Sequence, residues 1–283
     1  MQIRLAQHYG LCFGVRDAIN QAEHLATQAP LTILGELVHN PLVRERLTTL
    51  GAREASLSNP ASVTTNQVMI TAHGASDKTR ESWRHAGFAL ADGTCPLVRH
   101  AHDKLRELVT AGYFPVVIGK SGHAEVEGLI GDFPEAAVLL EEHQAEGLPD
   151  KSRYGIIAQT TQPLDKVRRI VSAIRQAKPE ADVQFRDTVC QPTKNRQTAL
   201  QRLTEECDTI VVVGGHNSNN TQQLVSSARA AGCRVFHIER PDELEPEWFY
   251  DSRIVGLTAG TSTLKETVSA VFARLEALTE VPA

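Results

Sequence analysis

The sequence has 283 residues, of which 41% are hydrophobic and 22% charged, a composition typical of a globular protein large enough for several lobes. Its formal net charge is −5 and its aromatic content is 5%, which argues against a basic track or a base-stacking surface for nucleic acid. No stretch is apolar enough for a transmembrane helix, and the first residues lack the apolar core of a signal peptide. These features predict a cytoplasmic protein that binds neither nucleic acid nor membranes.

Short apolar runs with the length of β-strands alternate with segments of helical period along most of the chain. The predicted strands are residues 3–6, 31–35, 68–72, 115–119, 154–159, 209–215 and 253–259. A last helix is predicted near residues 264–278. Such alternation is typical of parallel strands joined by crossover helices, so the sequence predicts an α/β fold.

The turns that follow these strands are of three kinds, and each kind occurs three times. In the first kind, a glycine ends the strand and a polar cluster opens the next helix, at residues 32–40, 116–123 and 211–218. The second kind lies at residues 70–74, 157–161 and 257–262. The third kind places a cysteine at the start of a helix, at Cys12, Cys95 and Cys190. A period of this length predicts three copies of one structural unit.

The repeat predicts three α/β domains related by a pseudo-threefold axis, in a trefoil. Their predicted boundaries are 12–95, 96–189 and 190–283, and the N-terminal segment 1–11 would supply the strand that the third copy lacks. Ligands of parallel sheets bind beyond the carboxyl ends of the strands, where these turns lie. Three such lobes would bring the cysteines and the polar turns to one central cavity.

The cysteines point to a metal centre. There are five of them, an odd number that argues against a disulfide framework. Three thiolates at equivalent turns suit a 4Fe–4S cluster that keeps one iron open, while a zinc site on three cysteines is the competing interpretation. The close Cys-x-x-Cys pair common in zinc sites does not occur. Cys207 and Cys233 lie outside the repeated turns and are predicted to be structural thiols.

Polar side chains in the same turns form a candidate binding and catalytic set. Its members are His39, His73, His123, Glu125, Thr160, Ser218, Asn219, Asn220 and Ser262. Imidazoles, amides, hydroxyls and helix N-terminal N–H groups together can bind an anion. Glu125 is the carboxylate of the 123–125 turn and therefore a candidate proton donor. The sequence has no P-loop motif, which argues against nucleotide hydrolysis.

At these residues the sequence resembles the LytB or IspH family of 4-hydroxy-3-methylbut-2-enyl diphosphate reductases. The matching stretches are residues 10–15, 38–40, 72–74, 94–98, 122–128, 159–161, 193–197 and 258–262. They follow one another in the family's order and span nearly the whole chain, which makes the resemblance far more specific than any one short motif.

The resemblance implies a trefoil around a 4Fe–4S cluster on Cys12, Cys95 and Cys190. In the family the open iron binds the substrate hydroxyl, and two electrons and two protons yield isopentenyl and dimethylallyl diphosphates with loss of water. The implied catalytic residues are Glu125, His123 and Thr160. The implied diphosphate ligands are His39, His73, His123, Ser218, Asn219, Asn220 and Ser262. Electrons would come from a ferredoxin or flavodoxin.

Some residues depart from the family pattern and leave other functions open, among them His8 and Tyr9 before the first cysteine. Asn219 stands where the family has a hydroxyl residue, and Gln191 and Pro192 replace a more usual aromatic residue and alanine. One alternative is a related 4Fe–4S reductase that acts on a different anionic substrate. Others are a non-catalytic redox sensor or electron carrier and, more weakly, a zinc hydrolase.

Overall fold

The computed structural model describes residues 1–38 and 40–279, in which parallel strands alternate with helices. The strands are β1 (Gln2–Leu5), β2 (Leu31–Leu34), β3 (Arg53–Ala55), β4 (Gln67–Ile70), β5 (Ala89–Asp92), β6 (Phe114–Ile118), β7 (Ala137–Leu139), β8 (Arg153–Ala158), β9 (Asp182–Phe185), β10 (Thr209–Val213), β11 (Arg234–Ile238) and β12 (Ile254–Ala259). The α-helices are α1 (Phe13–Gln28), α2 (Pro41–Thr49), α3 (Asp77–His85), α4 (Pro96–Thr110), α5 (Ala124–Ile130), α6 (Leu164–Ala177), α7 (Gln191–Glu206), α8 (Asn219–Ala230) and α9 (Lys265–Thr279). None of these helices is long and apolar enough to cross a membrane.

The strands form three four-stranded parallel sheets that share one strand order. The orders are β3-β2-β4-β5, β7-β6-β8-β9 and β11-β10-β12-β1. In the third sheet the N-terminal strand takes the last place, because β1 pairs in parallel with β12 and sets Ile3 opposite Val255. The predicted α/β class and threefold repetition are therefore confirmed, including the use of the N-terminal strand to complete the third copy.

The chain divides into two compact units. The first unit comprises Met1–Val15, Val38–Pro41 and Gln191–Ala283 and contains the sheet of β10, β11, β12 and β1. The second unit comprises Arg16–Leu37 and Leu42–Cys190 and contains the other two sheets. The domain boundaries 12–95, 96–189 and 190–283 stay a prediction.

Helices cover both faces of the central strands in the second unit. Along β6 and β8, Ile118 and Ile156 pack against Ile170 of α6. The alternate residues Val117 and Ile157 pack on the opposite face, against α4 and α5. A strand covered on both faces must be apolar at successive positions, which explains why these strands read as continuous apolar runs in the sequence.

The first unit repeats this layering with its own helices. Val211 and Leu257 lie in one apolar cluster with Val271 of α9. On the other face, Val212 packs with Leu200 of α7 and with residues of α8. Since the core fixes the sheet between its helices, the turns at the strand ends are held at defined positions. Those turns carry the polar residues of the candidate site.

Candidate active site

The three cysteines Cys12, Cys95 and Cys190 have equivalent backbone hydrogen bonds. The backbone N–H of each cysteine donates to the carbonyl of a residue that lies two positions after the end of a strand. The strand is β12 for Cys12, β4 for Cys95 and β8 for Cys190. The acceptors are Thr261 for Cys12 (3.2 Å), Ala72 for Cys95 (3.1 Å) and Thr160 for Cys190 (2.9 Å). The structure thus places each cysteine at the same point of its repeat, as the sequence predicts.

The setting of these three thiols suits metal ligation. Each is half-buried, and Cys12, Cys95 and Cys190 directly precede α1, α4 and α7, respectively. A helix N-terminus stabilises a thiolate, the form of cysteine that binds iron. By contrast, burial raises the pKa of the Cys207 thiol to about 11, and burial also raises the pKa of Cys233. Those two remain protonated thiols at neutral pH, in line with the structural role predicted for them.

Within residues 1–38 and 40–279, no three His, Cys, Asp or Glu side chains are arranged to bind a single metal ion. A cubane cluster requires a different arrangement, since each cysteine sulfur binds its own iron atom. The cysteine residues therefore fit a cluster by their chemistry, as half-buried thiols at three equivalent helix N-termini.

Glu125 lies in the second unit and is bound at both carboxyl oxygens by one residue. Its side chain is buried at 2% exposure in α5. Thr160 donates its backbone N–H to Oε1 (2.6 Å) and its hydroxyl to Oε2 (3.0 Å). The carbonyl of Thr160 in turn accepts the N–H of Cys190. One threonine thus connects the candidate acid to a cysteine turn, a link that depends on tertiary contact between residues 35 positions apart.

Burial raises the pKa of Glu125 from its ordinary value of 4.5 to about 7, and the two hydrogen bonds from Thr160 only partly oppose this effect. The folded chain therefore keeps this proton to a higher pH than the unfolded chain does. A carboxyl group with this pKa is protonated in a large fraction of molecules at neutral pH. Such a group can donate a proton under physiological conditions.

This pKa predicts a pH-dependent contribution of Glu125 to stability. The contribution is fully present below about pH 4.5 and is lost as the pH rises to about 7, a change of about 3 kcal/mol. Glu125→Gln cannot titrate, so the wild-type chain should lose that free energy of unfolding relative to the variant over this range. Urea unfolding of both proteins without metal, at a series of pH values, measures the difference. A constant difference across the range would contradict the raised pKa.

Two histidines of the candidate set, His73 and His123, lie in the second unit. His123 caps α5, and its Nδ1 accepts the backbone N–H of Glu125 at 3.1 Å. In a neutral ring this leaves Nε2 as the protonated nitrogen. The ring of His73 meets that of His123 edge-on, with 5.3 Å between the ring centroids. His39 lies outside the described residues.

Among the described residues of the polar set, Ser218, Asn219, Asn220 and Ser262 lie in the first unit. Ser218 caps α8, and Asn219 and Asn220 are the first two residues of that helix. The side-chain oxygen of Asn220 accepts the backbone N–H of Thr261 at 3.1 Å, next to Ser262. The Ser262 hydroxyl is buried at 6% exposure and has no hydrogen-bond partner among the described residues. Since a buried hydroxyl without a partner is costly, a bound polar ligand would satisfy it.

Asn40 is a site residue that sequence reasoning did not single out. Its buried side-chain amide donates to the carbonyl of Ser262 at 3.0 Å and so fixes the turn that carries that serine. The only signal in the sequence is its position directly after His39 in a stretch that resembles the family.

Proteins of one known family are similar to this chain over nearly its whole length. The model of the family described as LytB protein matches residues 3–276. A 4-hydroxy-3-methylbut-2-enyl diphosphate reductase of Geotalea daltonii is 33% identical to this chain over 280 residues, and the alignment covers 98% of each of the two chains. A protein of the same name from Vibrio cholerae is 34% identical over 98% of this chain and 91% of its own.

Two solved structures are also similar. The E-1-hydroxy-2-methyl-but-2-enyl-4-diphosphate reductase of Plasmodium falciparum superposes with a TM-score of 0.89 at 25% identity, over 97% of this chain and 87% of its own. A second structure is described as (E)-4-hydroxy-3-methyl-but-2-enyl diphosphate reductase, the terminal enzyme of the non-mevalonate pathway. It matches with a TM-score of 0.67 at 32% identity, over 98% of this chain and all of its own. Because the family model and these relatives cover almost the whole sequence, the chain belongs to the LytB family.

Proposed function

We propose that this chain is a cytoplasmic 4-hydroxy-3-methylbut-2-enyl diphosphate reductase. It would convert its substrate to isopentenyl and dimethylallyl diphosphates, with two electrons, two protons and loss of water. Membership of the LytB family and full-length relatives of that name support the proposal. The observation that carries it is the buried Glu125 carboxyl, held by Thr160 next to the backbone of Cys190.

Cys12, Cys95 and Cys190 are the residues that would hold a 4Fe–4S cluster. When bound there, the cluster supplies electrons and, at its open iron, a Lewis-acidic position for the substrate hydroxyl. The fit rests on three half-buried cysteines that directly precede helices and make equivalent backbone hydrogen bonds. A ferredoxin or flavodoxin would be the electron donor.

Glu125 is the proposed proton donor. Because burial raises its pKa to about 7, the carboxyl group is protonated in a large fraction of molecules at neutral pH and can donate that proton to the reaction. The carboxylate that remains after transfer keeps two hydrogen bonds, from the N–H and the hydroxyl of Thr160. His123 orients this acid, since its Nδ1 holds the backbone N–H of Glu125 at the start of α5.

The diphosphate would be bound by imidazole, hydroxyl and amide groups. The proposed ligands are His39, His73, His123, Ser218, Asn219, Asn220 and Ser262. Ser218, Asn219 and Asn220 stand at the N-terminus of α8, where the helix dipole favours a negative charge. The diphosphate lies away from the reacting carbon, so its binding energy would serve to orient the substrate in the site.

The test is anaerobic purification, followed by iron and sulfide analysis, visible spectroscopy and turnover with the diphosphate substrate and a strong reductant. We expect about four irons and four sulfides per chain and formation of both products. Absence of iron–sulfur absorption would overturn the proposal. A complete cluster with no turnover on this substrate would also reject it and direct attention to other substrates.

A second candidate function is that of a related reductase with a different anionic substrate. Asn219 favours it, because this buried residue brings a bulkier amide to a position where the resemblance implies a hydroxyl. Replacing it tests the point: Asn219→Ser should raise turnover of 4-hydroxy-3-methylbut-2-enyl diphosphate if the amide has changed the specificity. Unchanged turnover in the variant would remove this candidate.

The Ser262 hydroxyl gives a prediction that separates ligand binding from folding. Ser262→Ala should raise the KM for the diphosphate by about tenfold, because one hydrogen bond to an anion is worth about 1.4 kcal/mol or more. The free energy of unfolding should stay the same or increase, since the hydroxyl has no partner among the described residues. Steady-state kinetics and urea unfolding measure the two effects.

Ser252 provides the matched control in the same unit. It is also buried, but its hydroxyl bonds to Thr209 at 2.9 Å and accepts from Arg234 at 2.8 Å. Ser252→Ala should therefore lower the free energy of unfolding by about 1 kcal/mol and leave KM unchanged. An unchanged KM in Ser262→Ala would remove that residue from the binding site.

A further inference from the structure

The turn that carries Cys95 is built by its own side chains. It leaves β5 at Asp92 and enters α4 directly after Cys95. The Oδ1 atom of Asp92 accepts the backbone N–H of Thr94 at 3.0 Å and also the Thr94 hydroxyl proton. These bonds close the turn locally, but they do not attach it to a neighbouring element.

Backbone bonds from Gly93 to Ile70 and from Cys95 to Ala72 attach it, and Arg80 of α3 adds a side-chain attachment. Its Nε donates to Asp92 Oδ2 at 3.1 Å and its Nη2 donates to the Thr94 hydroxyl at 3.1 Å. Its Nη1 donates to the carbonyl of Ala75, which ends the turn that carries His73. One guanidinium therefore joins the Cys95 turn to the His73 turn. Only a planar group with several fixed donors can reach all three acceptors at once.

The burial of Arg80 shows that this contact is specific. The residue is 8% exposed, and a buried guanidinium is tolerated only when its charge and its donors are matched. Asp92 matches the charge, together with Asp77 at 3.2 Å. His102 of α4 is also buried, and desolvation and the Arg80 charge lower its pKa to about 4. That ring is therefore neutral and adds no competing cation.

The other cysteine turns are also held by a buried side chain. In the first unit, Arg196 is 5% exposed and donates to the carbonyl of Gly10, two residues before Cys12. In the second unit, the hydroxyl of Thr188, two residues before Cys190, accepts the backbone N–H of Ala158 at 2.9 Å. Fixing the backbone just before the cysteine is thus a feature of all three repeats.

We propose that Arg80 is a positioning residue for Cys95, which it holds in place through Thr94 and Asp92 against the His73 turn. The part of the proposal that concerns metal rests on the proposed function, in which Cys95 is a cluster ligand. The part that concerns the turn does not, because it can be tested in the protein without metal.

The first experiment measures the reactivity of Cys95 in the metal-free full-length chain. Arg80→Lys keeps the positive charge but removes the planar set of N–H donors that binds the turn. The turn should therefore become more mobile, and the half-buried Cys95 thiol should react faster with iodoacetamide. We expect the alkylation rate of Cys95, followed by peptide mass spectrometry, to rise at least about tenfold, the factor for one lost charged hydrogen bond. Cys190 lies in the same unit and serves as the internal reference. Arg84→Lys is the control, since Arg84 is on the same helix and exposed.

The outcomes decide between positioning and general stability. A faster reaction at Cys95, with Cys190 within about twofold of wild type, supports the proposal. A wild-type rate at Cys95 overturns it, as does an equal rise at both cysteines, which would show that Arg80 only stabilises the fold. If Arg80→Lys does not fold, Thr94→Val decides, because it removes the hydroxyl that Arg80 holds. Thr94→Ser keeps that hydroxyl and should restore the wild-type rate.

The second experiment uses the protein reconstituted with iron and sulfide under anaerobic conditions. Arg80→Lys should release iron to a chelator at least about tenfold faster than wild type and Arg84→Lys, and the electron paramagnetic resonance signal of the dithionite-reduced cluster should change. Wild-type release and signal would overturn the role toward the cluster. If the wild-type chain itself took up no cluster, the proposed function would fail, while the alkylation result would still decide the role of Arg80 in the turn.

Discussion

Glu125→Gln should lower kcat by roughly two to four orders of magnitude while the chain retains its iron and sulfide. The glutamine has nearly the same shape and can still accept one hydrogen bond from Thr160, so the fold and the cysteine turns should stay intact. What it loses is the proton that burial keeps on this carboxyl group near neutral pH. Steady-state turnover with the diphosphate substrate, alongside iron analysis of the same sample, measures both effects.

Glu127 supplies the control for this experiment. It lies two residues further along α5, is exposed, and accepts the backbone N–H of Gly122 at 2.9 Å. Glu127→Gln should keep wild-type turnover. If Glu125→Gln also turned over at the wild-type rate, another group would have to supply the proton. Loss of iron together with activity would instead assign Glu125 to holding the site together.

Cys95→Ser should abolish stable cluster binding and, with it, turnover. A serine hydroxyl is a much weaker ligand for iron than a thiolate, and each of the three cysteines is expected to bind its own iron atom. The iron content should fall from about four atoms per chain to a small fraction of that number. Anaerobic reconstitution with iron and sulfide analysis checks the result. The metal-free variant should unfold at the same urea concentration as the metal-free wild type, since the backbone bond from residue 95 to Ala72 is kept.

Cys233→Ser is the matched substitution at a thiol outside the repeated turns. Burial raises the pKa of Cys233, and its Sγ lies 3.5 Å from the carbonyl of Cys207, so it has the setting of a structural thiol. This variant should keep its full iron content. If both substitutions left the iron content unchanged, Cys95 would not be a ligand and the three-cysteine interpretation would be wrong.

These experiments separate two tasks that the structure assigns to different atoms of the same turns. In the Glu125–Thr160–Cys190 connection, the backbone N–H and the hydroxyl of Thr160 hold the acid, while the backbone carbonyl of Thr160 accepts the N–H of Cys190. A substitution at Glu125 therefore changes the proton supply and leaves the backbone bond to Cys190 in place. Turnover and iron content should respond independently.

The repeat was predictable because local sequence patterns indicate it. Each sheet uses short apolar strands followed by glycine and polar residues, and these signals depend only on neighbouring positions. The same patterns located Cys12, Cys95 and Cys190 at equivalent strand-to-helix turns. The sequence also predicts that the N-terminal strand completes the third copy, and the pairing of β1 with β12 confirms this. The predicted strands run one or two residues too long where a glycine leaves the ladder, as at Gly35 after β2.

The sequence by itself determined the fold class, the threefold repetition and the candidate site residues, because these follow from periodicity and from turns between adjacent elements. The tertiary structure alone decided which groups meet across the chain. It showed that Thr160 holds both oxygens of Glu125, that Asn40 holds the turn of Ser262, and that Arg80 joins two turns. It also decided the protonation of Glu125, since a pKa depends on burial and on partners brought together by folding. No local pattern encodes such contacts, because their residues are separated in sequence and meet only when the sheets and helices pack.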